Sequence, residues 1–312
     1  MRVLVSGSIA YDKIMEYAGC FSDHIMPGKI HTLNLSFVAE NLEEHFGGTA
    51  GNIAYGLALL EEQPLILACA GRDFERYRDW LSRVGVDLSL VKIVPEKTTT
   101  VSHIMTDNAD NQIAALSIGA MAHSCEVTPD DIPTQALAII SPGNIEDMRR
   151  LPGMYREKNI SFIFDPSQQI AALSGEEIKN GITGAKALIS NDYELSLVLQ
   201  KTGWSEEDIL KYAEMIITTL GKEGSRIRTR EKTIDIPCAR VDAAIDPTGA
   251  GDAYRAGFIK GLIMAWPLEI VGRFASVISA YAVEVNGTQE YSLTLAEARA
   301  RYAQNFSEEL PA

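Results

Sequence analysis

Short apolar runs separated by helix-like stretches constrain this chain more than any other feature. Runs at residues 3–9, 65–70, 137–141, 161–165, 187–190 and 216–219 are dominated by Val, Ile, Leu, Ala and Phe. A strand with one wet face alternates apolar and polar residues, whereas a strand covered on both faces does not. Between these runs lie helical patterns at 53–61, 206–215, 250–265 and 295–306. Two of them carry a capping box, Ser205 with Asp208 and Thr294 with Glu297. Strands alternating with helices imply a mostly parallel sheet with helices on both faces, an α/β fold. The 312 residues are read as one such domain over 1–312, large enough to bury a core without disulfides.

Two segments break the rhythm. Residues 29–39 and 98–118 are rich in Thr, Ser, Val and Ile, without helical period, and Asp107 to Asn111 form a strong turn signal inside the second. Both read as strands of a small β-sheet projecting from the main domain as a lid, inserted at about 12–45 and 98–118. Edge strands on the main sheet are the alternative.

Composition narrows the partners. The formal net charge of −14 repels phosphate backbones and anionic lipid, which argues against nucleic acid and membrane. A small anion held by a few backbone N–H groups is unaffected by that balance. Cys20, Cys69, Cys125 and Cys238 form no CxxC pair, as suits a reduced cytoplasm. Residues 1–9 read as a strand and not as a signal peptide. Neither GxxxxGK[ST], HExxH nor GxSxG occurs, and no GxGxxG follows the first strand. A P-loop, a metalloprotease, an α/β-hydrolase and a dinucleotide fold are thereby disfavoured.

The segment that carries chemistry is Asp246-Pro247-Thr248-Gly249-Ala250-Gly251-Asp252-Ala253-Tyr254-Arg255-Ala256-Gly257-Phe258. A strand-like run at 240–245 precedes it and an apolar helix follows. Pro247 ends the strand, and the glycines let the backbone turn and approach a ligand. The N–H groups of 249–252 then open a helix, a site suited to an anion. Asp252 falls in that first turn. Read alone, it fits either a partner for the helix dipole or a base that accepts a hydroxyl proton beside a phosphoryl group.

That segment closely resembles the C-terminal signature of the ribokinase-like (PfkB) carbohydrate and nucleoside kinases. Phe46-Gly47-Gly48-Thr49-Ala50-Gly51-Asn52-Ile53-Ala54 resembles the family's GG…N signature, Asn191-Asp192-Tyr193-Glu194 its NxxE motif, and Thr219-Leu220-Gly221-Lys222-Glu223-Gly224 its TxGxxG nucleotide motif. Ser6 to Asp12 resembles the opening strand and aspartate. The resemblance implies a ribokinase-like fold that uses ATP and Mg²⁺, with Asp252 as catalytic base and Gly249, Ala250 and Gly251 as anion hole. It assigns Asp12, Gly48 and Asn52 to the substrate, and Asn191 and Glu194 to Mg²⁺ and phosphate through water. Thr219, Gly221 and Gly224 fall on the ATP side, with Asn286 in a loop beside the adenine. Asp246 and Thr248 match positions that bind a monovalent cation, K⁺, in some members. From the residues alone, Asp12 reads first as an ordinary turn aspartate, and Asn-x-x-Glu is also an ordinary helix start.

Thr49 stands where ribokinases carry Lys, and its hydroxyl is similar to the Ser of adenosine kinases. Segments around Ser8–Asp12, Asp110–Ile113 and Asp252–Gly257 resemble a bacterial adenosine-kinase-like branch, and Leu33, Leu35 and Phe37 offer an apolar cover for a flat base. Pro247 departs from the usual Thr. The expectation is phosphorylation of the adenosine 5′-hydroxyl to AMP. A sugar kinase acting on ribose or another pentose or ketose is the alternative, and a non-catalytic nucleoside-binding protein is disfavoured by the intact motifs. Monomer and homodimer through the lid both stay open.

Overall fold

The computed structural model describes residues 1–25, 34–39, 41–109 and 111–311. In chain order the strands are β1 (Arg2–Ser6), β2 (Ala10–Tyr17), β3 (Asn41–Gly47), β4 (Pro64–Gly71), β5 (Val91–Val94), β6 (Thr100–Asp107) and β7 (Gln112–Ser117). They continue as β8 (Ala136–Ile140), β9 (Ser161–Phe164), β10 (Ala187–Asn191), β11 (Met215–Thr219), β12 (Ser225–Thr229) and β13 (Thr233–Ile236). The helices are α1 (Thr49–Leu59), α2 (Glu75–Arg83), α3 (Ile145–Glu157), α4 (Gly175–Ile182), α5 (Asp192–Thr202), α6 (Glu206–Tyr212), α7 (Ala250–Ile263), α8 (Leu268–Val283) and α9 (Leu295–Phe306).

The main sheet runs β13-β12-β11-β10-β9-β8-β1-β4-β5. It is parallel from β11 to β5, and the β12–β13 hairpin adds two antiparallel strands at one edge. Alternate residues of β1 enter different cores. Val3 and Val5 pack with α1, α7 and α8, while Leu4 packs with α3, α4 and α5. Burial on both faces explains why these strands read as unbroken apolar runs. Strand order reverses at β1, which pairs with β4 on one side and β8 on the other. The crevice at the carboxyl ends of β1 and β8 is therefore the topological switch point, where open α/β sheets bind ligands.

A second, four-stranded sheet is ordered β3-β2-β6-β7, with β2 and β6 parallel and both outer pairs antiparallel. The 98–118 segment does form strands of a separate small sheet. Its turn is held by Asp107 Oδ1, which accepts from the Ala109 and Asn111 N–H groups at 2.9 Å each. The 29–39 expectation fails where it can be judged. Residues 34–39 have no regular structure and 29–33, with Leu33, lie outside the described residues. The strands come instead from β2 and β3 on either side, and Phe37 packs against Tyr17, Phe21 and His24.

The run at 240–245 is not a strand either. Its donors find other acceptors. Arg240 N–H donates to Asn305 Oδ1 (2.7 Å), Asp242 N–H to Glu284 Oε1 (2.9 Å) and Ile245 N–H to the Val283 carbonyl (2.9 Å). The capping boxes of α6 and α9 form as expected. Helix α6 ends at Tyr212, and Met215 already belongs to β11. No helix among the described residues is long and apolar enough to cross a membrane.

Candidate active site

Helix α7 is buried along most of its length, from Ala253 to Gly261. Two charged residues inside it are consequently paired, Lys260 with Glu62 (2.6 Å) and Arg255 with Asp165 (2.6 Å). Its N-terminus faces the switch-point crevice. Gly249 caps it at φ 79°, and a Cβ there would press on Thr288, so the tight approach needs glycine. Asp246 braces the turn, since its Oδ1 accepts from Thr248 N–H (2.8 Å) and its Oδ2 from Gly287 N–H (3.2 Å). The Ala250 N–H is turned back onto the Pro247 carbonyl (3.2 Å). The expected row of four free N–H groups is thus one donor shorter.

Asp252 keeps 14% of its side-chain exposure and lines a cavity of about 390 Å³. Gly48, Thr49, Asn52, Thr248 and Gly249 share that cavity, and Asp12, Ser102 and Leu116 reach it from the small sheet. The Asp252 carboxylate is oriented by a hydrogen-bond chain whose directions are fixed at both ends. The Trp80 indole can only donate, and does so to Gln289 Oε1 (3.0 Å). Gln289 Nε2 donates to Asn52 Oδ1 (3.0 Å), and Asn52 Nδ2 donates to Asp252 Oδ2 (2.9 Å). Asn52 therefore holds Asp252 as well as facing the cavity. Gln289, three residues past Asn286, is buried, and it serves this chain.

Burial raises the Asp252 pKa, opposed by the Arg255 guanidinium and the Asn52 hydrogen bond. Asp12, on β2, is pushed up to about 6, mainly by burial. His45 opposes the rise, and Asp252 and Asp246 add to it. Gly48 caps α1 at φ 86°, with the Ser8 carbonyl 2.6 Å from where a Cβ would sit. Thr49 Oγ1 donates to the Pro142 carbonyl (2.8 Å) and accepts from Ser141 Oγ (3.0 Å). Ser8 N–H also donates to Thr49 Oγ1 (3.3 Å), so this hydroxyl joins the segments just past β1 and β8 at the cavity wall.

The remaining sequence candidates lie along the same carboxyl edge but outside this cavity. Asn191 ends β10 and Thr219 ends β11. Gly221 and Gly224 shape the turn into β12, both at positive φ. Asn286 is exposed and lines an adjoining cavity of about 660 Å³ with Asp12, Asp246 and Thr248. Asn191 and Glu194 form a complete capping box for α5, and Glu194 Oε1 also accepts from Ser167 Oγ (2.8 Å). The helix-start role is therefore real. Each Glu194 oxygen keeps a lone pair for a hydrated ion. No group of three ligating side chains occurs among the described residues, so a divalent cation here would rely on phosphate oxygens and water. Mg²⁺ suits that arrangement, because it retains much of its hydration shell. Ser102, Leu116, Gln289 and the Arg255–Asp165 pair were not singled out as site residues from sequence. Arg255 alone had a local signal, its i,i+3 spacing from Asp252 on a helix.

The sequence pattern of the pfkB family of carbohydrate kinases matches residues 8–295. The chain belongs to this family. It is 35% identical to the Burkholderia thailandensis nucleoside kinase solved in complex with inosine, with a TM-score of 0.89 over 98% of this chain and 99% of that one. A nucleoside kinase of Methanothermobacter thermautotrophicus is 30% identical over 89% of this chain and 91% of its own length. The Methanocaldococcus jannaschii nucleoside kinase structure is 27% identical, with a TM-score of 0.85 over 97% of this chain and 98% of that one. The ribokinase-like α/β fold and the kinase chemistry of a phosphotransferase follow from this membership.

Proposed function

We propose that this chain transfers the γ-phosphoryl group of ATP to the 5′-hydroxyl of a purine nucleoside, with adenosine giving AMP in purine salvage in the cytoplasm. The carrying observation is the inward face of the small sheet. In register, Asp12 pairs with Ser102, Ile14 with Ile104 and Glu16 with Thr106, and all six line the two adjoining cavities. Successive rows lie roughly 7 Å apart. A ribose at the Asp12 row would leave an apolar row and then a polar row for a base and its edge, whereas a free pentose would use only the first. The similarity to nucleoside kinases, among them the Burkholderia thailandensis enzyme solved both with inosine and with ADP-inosine, supports the same reading.

In this mechanism the Asp12 carboxylate accepts both hydroxyl hydrogens of the ribose diol, with Gly48 and Asn52 against the sugar. The small sheet closes as a lid and excludes water. Asp252, aimed by Asn52, takes the 5′-hydroxyl proton as the oxygen attacks in line. The Gly249 and Gly251 N–H groups and the α7 dipole stabilise charge on the transferring phosphoryl group. Thr219, Gly221, Gly224 and Asn286 line the ATP side. Glu194 and Asn191 would hold the hydration shell of Mg²⁺, which would supply charge neutralisation on the phosphates. Asp246 and Thr248 would be the corresponding place for K⁺.

A direct test is 5′-deoxyadenosine, which lacks only the accepting oxygen. It is expected to compete with adenosine while releasing no ADP. ADP release at the adenosine rate would overturn the assignment of the 5′-hydroxyl.

A further inference from the structure

The least explained buried charge in the molecule is Arg255. It is 9% exposed and sits one helical turn below Asp252. Its Nε lies 2.6 Å from Asp165 Oδ2, its Nη2 donates to Asp165 Oδ1 at 2.8 Å, and its Nη1 lies 3.9 Å from Asp252 Oδ1. A Cβ on Gly251 would stand 2.7 Å from that same Nη1, so the guanidinium runs directly beneath the turn that opens α7. Asp165 is fully buried just past the end of β9. A salt bridge between Arg255 and Asp165 alone would leave Nη1 without a purpose. The fork is rigid and planar, so anchoring one edge on Asp165 fixes the third nitrogen toward Asp252.

We propose that Arg255 is a positioning residue for phosphoryl transfer: gripped by Asp165, it presents a fixed counter-charge to Asp252 from the side opposite Asn52. This rests on Asp252 being the base. The physical need is clear. A polyphosphate brought to the N-terminus of α7 adds negative charge beside a carboxylate that must stay ionised to accept a proton. Burial already raises the Asp252 pKa, and the guanidinium is the largest opposing influence. The other groups facing the cluster add no positive charge. They are Asp12 on β2, Glu194 on α5 and the buried, neutral Tyr77 and Tyr291 phenols.

The proposal predicts pH shifts of opposite sign from the two partners of one ion pair. Arg255→Met removes the positive charge, so the acid limb of kcat, read at saturating adenosine where Asp12 is already engaged, should move up by one pH unit or more. Asp165→Asn removes a negative charge and leaves the guanidinium, so the limb should move down while kcat falls through the loosened anchor. Arg255→Lys, which keeps a charge but not the fork, should restore the position of the limb without restoring kcat. Adenosine KM should change by less than threefold throughout. A structural role alone gives lower melting temperatures with all acid limbs coincident, and that result would overturn the proposal. If Arg255→Met does not fold, the sign of the Asp165→Asn shift decides alone. Asp252→Asn run alongside separates the two levels: undiminished turnover there would remove the base assignment itself, whatever Arg255 does.

Discussion

Asp252→Asn should lower kcat by about 10²–10⁴-fold, the usual worth of a positioned general base, while leaving nucleoside affinity within a fewfold of the parent. The substitution keeps the shape of the side chain, and its Oδ1 can still accept from Asn52 Nδ2, now at 2.9 Å from the carboxylate. The Trp80–Gln289–Asn52 chain therefore survives, and so does the cavity wall. What is lost is the proposed proton acceptor and the charge that faces Arg255. Single-turnover phosphorylation and equilibrium nucleoside binding measured on the same preparation separate the two effects. Loss of binding together with turnover would make Asp252 a substrate ligand or a structural residue and not the base.

Asp12→Asn should weaken nucleoside binding by roughly 10²-fold or more, because a charged acceptor for two hydroxyls is worth about 1.5–3 kcal/mol per hydrogen bond. The same substitution should stabilise the free protein. Asp12 titrates near 6 in the fold, above its ordinary 3.8, through burial and the nearby Asp252 and Asp246. A carboxyl whose folded pKa is raised holds its proton more tightly in the native state. It weakens the fold progressively as pH rises from about 4 to about 6, and the full penalty applies above that. Replacing it with a neutral amide should recover about 1–3 kcal/mol at pH 8 and almost nothing at pH 4. Denaturant unfolding at the two pH values reads this directly. A destabilised Asp12→Asn at pH 8 would mean that the carboxylate is held by interactions of the unliganded fold. The pH dependence of binding carries the same sign: affinity for the diol should fall as pH drops through about 6.

A site that costs stability when empty also explains what could be read from the chain. The turn from Asp246 to Asp252 announced itself because local geometry demanded it: proline to stop, glycine at positive φ, then a helix. Capping boxes on α5, α6 and α9 were legible for the same reason, being complete within four residues. Strand β3, with the sequence Asn-Leu-Glu-Glu-His-Phe-Gly, was not legible, since it lies in a small sheet with much of its surface wet and carries no apolar run. The strand-like 240–245 segment misled in the opposite way. Its composition favours an extended chain, but no strand among the described residues pairs with it, and side chains of Glu284 and Asn305 accept from its N–H groups. The clamp on Asp252 was hidden by distance along the chain. Gln289 is 237 residues from Asn52, and Asp165 is 90 from Arg255. Nothing local marks a buried glutamine as the support of the Asp252 carboxylate until the fold brings both to the end of α7.

The small sheet divides the acceptor readings most sharply, and one experiment reads it. Purified protein with Mg–ATP is offered adenosine, inosine, guanosine, cytidine, ribose and other pentoses and ketoses. ADP release and the phosphorylated product are followed, with Asp252→Asn as the blank. The account predicts 5′-monophosphates from purine nucleosides, adenosine foremost, with no turnover of free sugars and none by the blank. ADP release that depends on a free sugar, with nucleosides inert, would contradict it and would mean that the apolar and polar rows beyond Asp12 do not hold a base.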